Sequence, residues 1–109
     1  MTGEQLKKLS KMKKLINEGH RKFQTRKDRD YIQDLLDIGI TEEYAWSEIL
    51  LLSLHDYIHD YKPFFSKGKS DGLTFKKKIN GYLIYIKLTI EEYNNNEKTV
   101  CWSFHIDHK

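Results

Sequence analysis

Lys76, Lys78, Tyr85, Lys87 and His105 lie in one carboxyl-terminal stretch of the 109-residue chain, and their types are those of a phosphate-handling site. Histidine titrates near neutrality and moves protons, lysine places fixed positive charge beside phosphate oxygens, and tyrosine stacks on a base or orients a phosphate. Together they suit metal-independent cleavage of RNA, in which a 2′-hydroxyl attacks the adjacent phosphorus. A base must take the hydroxyl proton, cations must stabilise charge on the phosphate oxygens, and an acid must protonate the leaving 5′-oxygen. The bland counterpart is a solvated sheet face with scattered lysines.

Other chemistries find less support. His55 and His59 stand at a spacing that one helix face accommodates, but no catalytic glutamate signature accompanies them, and a single cysteine excludes Cys-rich zinc sites. Gly68, Gly72 and Gly81 form neither GxxxxGK[ST] nor GxGxxG. Cys101 falls mid-strand with no base specified beside it, so it reads as structural rather than nucleophilic. Neither a metal nor a cofactor is expected.

The stretch that positions the candidate residues, residues 73–107, reads as a three-stranded antiparallel meander. Asn80-Gly81 marks the first turn, because a type I′ turn needs positive φ at both central residues. Alternation places Phe75, Ile79, Ile84, Ile86, Leu88, Val100, Trp102 and Phe104 on an apolar face, with Lys77 as its exception, snorkelling at the sheet edge. The other face receives Thr74, Lys76, Lys78, Tyr85, Lys87, Thr89, Cys101, Ser103, His105 and Asp107. A two-residue turn at Asn80-Gly81 sets Lys76 opposite Tyr85 and Thr74 opposite Lys87. A three-residue loop at residues 94–96 sets Tyr85 opposite His105 and Lys87 opposite Ser103, so that Lys76, Tyr85 and His105 make one row across three strands.

Ahead of the meander, apolar residues at helical spacing predict helices over residues 2–18, 28–38 and 42–52, with a short edge strand at residues 22–25. Ser53 and Asp56 resemble a further short helix start, and residues 64–72 read as a loop able to overhang the polar face. The first helix carries Lys7, Lys8, Lys11, Lys13 and Lys14, and a net charge of +3 is compatible with a polyanionic partner. The length suits a single domain over residues 1–109. The lone cysteine, the absence of a long apolar run and a polar amino terminus predict a cytoplasmic protein away from the membrane.

Several strings, in order, resemble the MqsR family of type II toxins, small bacterial messenger-RNA interferases related in fold to RelE. They are Lys13-Lys14-Leu15-Ile16-Asn17-Glu18-Gly19, Asp34-Leu35-Leu36-Asp37-Ile38-Gly39-Ile40, Ile49-Leu50-Leu51-Leu52-Ser53, Asp56-Tyr57, Tyr85-Ile86-Lys87-Leu88-Thr89-Ile90 and Trp102-Ser103-Phe104-His105. The resemblance implies that the family's active-site tyrosine falls on Tyr85 unchanged. Two of its lysines fall on His59 and His105, and its first-strand glutamine falls on or near Lys76. It also implies a messenger-RNA substrate and a cognate antitoxin protein.

The expectation is an α+β, RelE-like fold with amino-terminal helices on one face of an antiparallel sheet of three to five strands. The expected function is that of an endoribonuclease toxin of a toxin–antitoxin pair. His59 and His105 form its proton-transfer pair, Lys76 and Lys87 clamp phosphate, and Tyr85 orients it; Lys62, Lys78 and Arg26 add RNA contacts. Two other classes stay open: a nonenzymatic nucleic-acid-binding module using the amino-terminal lysines, and a protein-interaction domain using the aromatics Tyr57, Tyr61, Phe64 and Phe65.

Overall fold

The computed structural model describes residues 1–61 and 72–107. In chain order they form α1 (Gly3–Asn17), β1 (Arg21–Phe23), α2 (Tyr31–Ile38), α3 (Glu42–Leu50), a 3₁₀ turn (Leu54–Asp56), β2 (Tyr57–Tyr61), β3 (Gly72–Ile79), β4 (Tyr82–Tyr93) and β5 (Asn96–Ile106). The five strands share one sheet in the order β1-β5-β4-β3-β2, giving an α+β architecture. Lys62, Phe64, Phe65 and most of the expected loop lie outside the described residues.

Local chemistry sets the helix limits. Thr2 Oγ1 accepts from the Gln5 amide while Gln5 Oε1 accepts from the Thr2 amide at 2.7 Å, a reciprocal cap for α1. Asp30, rather than a residue near 28, caps α2 by accepting from the Ile32 amide at 3.0 Å. The helix ends at Gly39, whose φ of 86° is the left-handed conformation that glycine adopts without strain. Ser53 and Asp56 do form a capping box, but the helix stops after one 3₁₀ turn because the next residues are drawn into β2 against β3.

The sheet is mixed, not wholly antiparallel as the sequence predicts: β1 runs parallel to β5, pairing Lys22 with Val100. Two helices, a 3₁₀ turn and three strands intervene between these partners, so no short turn dictates their relative direction. The first hairpin forms as expected, with Asn80 at φ 52° and Gly81 at φ 82°. Lys76 lies opposite Tyr85, and Thr74 opposite Lys87.

The second hairpin reaches the expected register by a different route. Its turn holds two residues, Asn94 and Asn95 at φ 50° and 67°, so Tyr93 pairs with Asn96. Left alone, that turn would put every site residue of β5 on the wrong face. A bulge at Trp102 supplies the missing residue: Leu88 pairs with Cys101, whereas Lys87 pairs with Ser103 and Tyr85 with His105. Between bulge and turn the faces are therefore exchanged relative to simple alternation. Cys101 enters the core, while Val100 joins Thr89 and Lys22 on the opposite face, and the Trp102 indole nitrogen donates to Thr89 Oγ1 at 2.8 Å.

The core lies between helices and sheet. Met12, Ile16, Trp46, Ile49 and Leu52 meet Leu73, Phe75, Ile84, Ile86, Leu88 and Phe104, all buried. Phe23 of β1 stacks on Tyr31 with ring centroids 4.9 Å apart and meets Trp46 at 4.8 Å, joining the short edge strand to α2 and α3. Lys77, on this inner face, does not snorkel to solvent: its ammonium pairs with Glu48 of α3 at 2.8 Å. At the start of β3, a Cβ on Gly72 would collide with the Leu88 carbonyl, so only glycine lets β3 approach β4 there.

Candidate active site

The sheet face away from the helices carries the candidate chemistry. Lys76 of β3, Tyr85 of β4 and His105 of β5 form a row across three adjacent strands. Beside it, β2 contributes His59, whose backbone is paired with Thr74. Together with Ile58, Lys87 and Asp107 these residues line an open groove of about 500 Å³.

Tyr85 is the hub. Its ring lies 5.8 Å from the His105 ring, tilted by 31°. The Lys76 and Lys87 ammonium groups approach it at 5.6 Å and 5.2 Å, so its electron-rich face gathers two cations into one place. Lys76 also pairs with Asp107 at 2.9 Å, which fixes its head group within the groove.

The histidines present defined nitrogens. His105 Nδ1 lies 3.0 Å from the Ile106 carbonyl, which only accepts, so Nδ1 carries the proton and a neutral ring leaves its lone pair on Nε2. Burial lowers the His105 pKa below the ordinary imidazole value, with the positive charges of Arg29 and Lys87 acting in the same direction and the Ile106 carbonyl and Asp34 opposing it. The neutral imidazole is thereby favoured. His59 Nδ1 similarly donates to the Asp60 carbonyl at 2.8 Å and is exposed at the groove's other wall. Lys87 has its pKa lowered, first by burial and then by the charge of Arg26.

Of the residues expected from sequence, His59, Lys76, Tyr85, Lys87 and His105 are brought together. Lys78 sits one step further along the same face of β3, opposite Leu83, and does not line the groove. Arg26 lies at the β5 border, where it pairs with Asp28 and donates to Ser103 Oγ at 3.2 Å. Lys62 is outside the described residues. Asp107 had no assigned role, although its position two residues beyond His105 already put it on this face; Ile58 became visible only through β2.

His55 and His59 do not share a helix face, since one lies in the 3₁₀ turn and the other in β2. No group of three or more potential metal-binding side chains occurs among the described residues. Cys101 is buried, its thiol pKa pushed far up by desolvation. The amino-terminal lysines Lys7, Lys8 and Lys11 border a second groove, of about 760 Å³, but Asp60, Glu4 and Glu97 alternate with them and Lys11 pairs with Glu97 at 2.8 Å. No helix among the described residues is long and apolar enough to cross a membrane. No family model, curated protein or solved structure matches the chain.

Proposed function

We propose that this protein is a metal-independent endoribonuclease, a RelE-like toxin of the MqsR kind that cuts single-stranded messenger RNA in the cytoplasm and is held in check by a cognate antitoxin. The observation that carries the reading is the convergence of two histidines, two lysines and a tyrosine on one open groove. The family resemblance supports it independently through Tyr85 and the positions of His59 and His105.

In this reading His105 Nε2 removes the 2′-hydroxyl proton and the oxygen attacks the adjacent phosphorus. Lys76 and Lys87 neutralise the non-bridging oxygens as charge accumulates on them. His59, entering protonated, gives its Nε2 proton to the departing 5′-oxygen. The products are a 2′,3′-cyclic phosphate and a 5′-hydroxyl, with the proton taken at one histidine balanced by the proton given at the other. Tyr85 orients the phosphate between them.

The test is incubation of the purified protein with an RNA oligomer in the presence of a chelator. Cyclic-phosphate ends are expected, and they should disappear in the His105→Ala, Tyr85→Phe double variant. Undiminished cleavage by that variant would overturn the site assignment, and intact RNA with the folded wild-type protein would overturn the enzyme reading.

A further inference from the structure

Beyond the groove, the long β4–β5 hairpin continues the same face past the last paired residues of β3. Along β4 the outward positions run Tyr85, Lys87, Thr89, Glu91 and Tyr93, a span of about 26 Å at the usual strand rise. Two features on this extension play no part in the chemistry above. The first is Trp102, which the bulge places on this face. Its indole nitrogen donates to Thr89 Oγ1 at 2.8 Å, and that hydroxyl donates to Glu91 at 2.6 Å, so a half-buried aromatic is held in a fixed orientation. The second is Tyr93, whose ring has the Lys22 ammonium 5.1 Å and the Lys98 ammonium 5.8 Å from its centroid. The ring quadrupole thereby gathers two like charges that otherwise repel.

We propose that this extension is a binding track for the single-stranded RNA that flanks the cleaved phosphate: Trp102 stacks a base, and Lys22 and Lys98, assembled by Tyr93, hold the backbone. The proposal rests on the RNA-cleaving reading of the groove. Charge complementarity favours nucleic acid, since Lys87, Lys22 and Lys98 border the strip with the carboxylate of Glu91, while Arg26 at its edge is paired with Asp28. The interleaving of cation and aromatic is the arrangement that accepts unpaired bases irrespective of sequence. A duplex, with its bases already stacked, gains nothing from Trp102.

The experiment measures binding of uncleavable 2′-O-methyl oligouridylates of twelve and four residues, together with cleavage of a dinucleotide. In the Lys22→Ala, Tyr93→Ala variant the long oligomer should bind about tenfold more weakly. Its affinity should also fall less steeply with salt, while dinucleotide cleavage stays at the wild-type rate. Trp102→Phe, which keeps an aromatic ring at the bulge, should retain most of the long-oligomer affinity, whereas Trp102→Leu should lose about tenfold. Unchanged affinity for the long oligomer, or equal losses for both lengths, would overturn the track while leaving the groove's chemistry standing. Selective loss with the long oligomer in a protein that cuts no RNA would keep the track and reject the enzyme. Equal affinity for a duplex of matching length would overturn the stacking role.

Discussion

Arg26 Nη1 donates to the Trp102 carbonyl at 3.3 Å and to Ser103 Oγ at 3.2 Å, so one guanidinium spans the bulge that puts His105 opposite Tyr85. The same side chain is anchored by Asp28 through Nε at 3.1 Å and Nη2 at 2.9 Å. Its role is thus positional: it binds a carbonyl that the bulge withdraws from the regular ladder. Arg26→Ala should cost about 1–2 kcal/mol in urea unfolding, the range for losing bonds to a charged donor that is partly solvated. Arg26→Lys should recover little, because a single ammonium cannot span Trp102, Ser103 and Asp28 in one plane.

Lys76→Met should leave the circular-dichroism spectrum unchanged and lower the cleavage rate by about 10²–10³, the usual loss for one charge-stabilising group. Rates in the wild-type range would exclude Lys76 from the clamp and leave its pairing with Asp107 as a purely structural contact.

The pH dependence has a definite sign. A base must be unprotonated, and His105 has its pKa lowered chiefly by burial. The rising acidic limb of the cleavage profile should therefore have its midpoint below about 6.5, the free imidazole value. Removing the nearby charge with Lys87→Met should move that midpoint upward at reduced overall rate. A midpoint above the free value would assign the limb to another group.

Glu48 is opposed by burial but held charged by hydrogen bonds from Lys77 and Tyr44, and its pKa is lowered overall. A carboxylate with a depressed folded pKa adds stability above its unfolded value and loses it as pH falls through the folded one. Glu48→Gln should then cost about 1–2 kcal/mol at pH 7, since the pair is largely but not fully buried, and much less near pH 3. Denaturant titrations at both pH values check this.

Cys101 should resist alkylating and disulfide reagents in the native protein and react fully once unfolded. Its sulfur is buried against the core with Sγ 3.3 Å from the Ser103 carbonyl, and desolvation disfavours the reactive thiolate. Rapid native labelling would show that the β5 bulge opens readily.

The helices and the first hairpin were legible because their signals are local: Thr2, Gly39 and Thr41 mark ends, and Asn80-Gly81 fixes a register by itself. The inward face of α2 was less legible: Leu35 and Ile38 are buried, whereas Ile32 and Leu36 are 57% and 65% exposed. The row Lys76, Tyr85, His105 was also legible, although the second loop was counted as three residues rather than two. The bulge was not, since a string of alternating residues carries no mark of an extra one, and Cys101, Trp102 and Val100 were assigned to the wrong faces for that reason. Nor did any short-range signal announce β2, whose pairing with β3 brings His59 to the groove.

The parallel pairing of β1 with β5 joins positions 21–23 to 99–101, close to opposite limits of the sequence. Such a contact carries the loop-closure delay of a high contact order. During synthesis β1 emerges early and finds no partner, and the groove lacks its His105 wall until β5 has been translated. On the proposed reading, the row Lys76, Tyr85, His105 stays incomplete, and cleavage has to wait, until β5 has been made and paired.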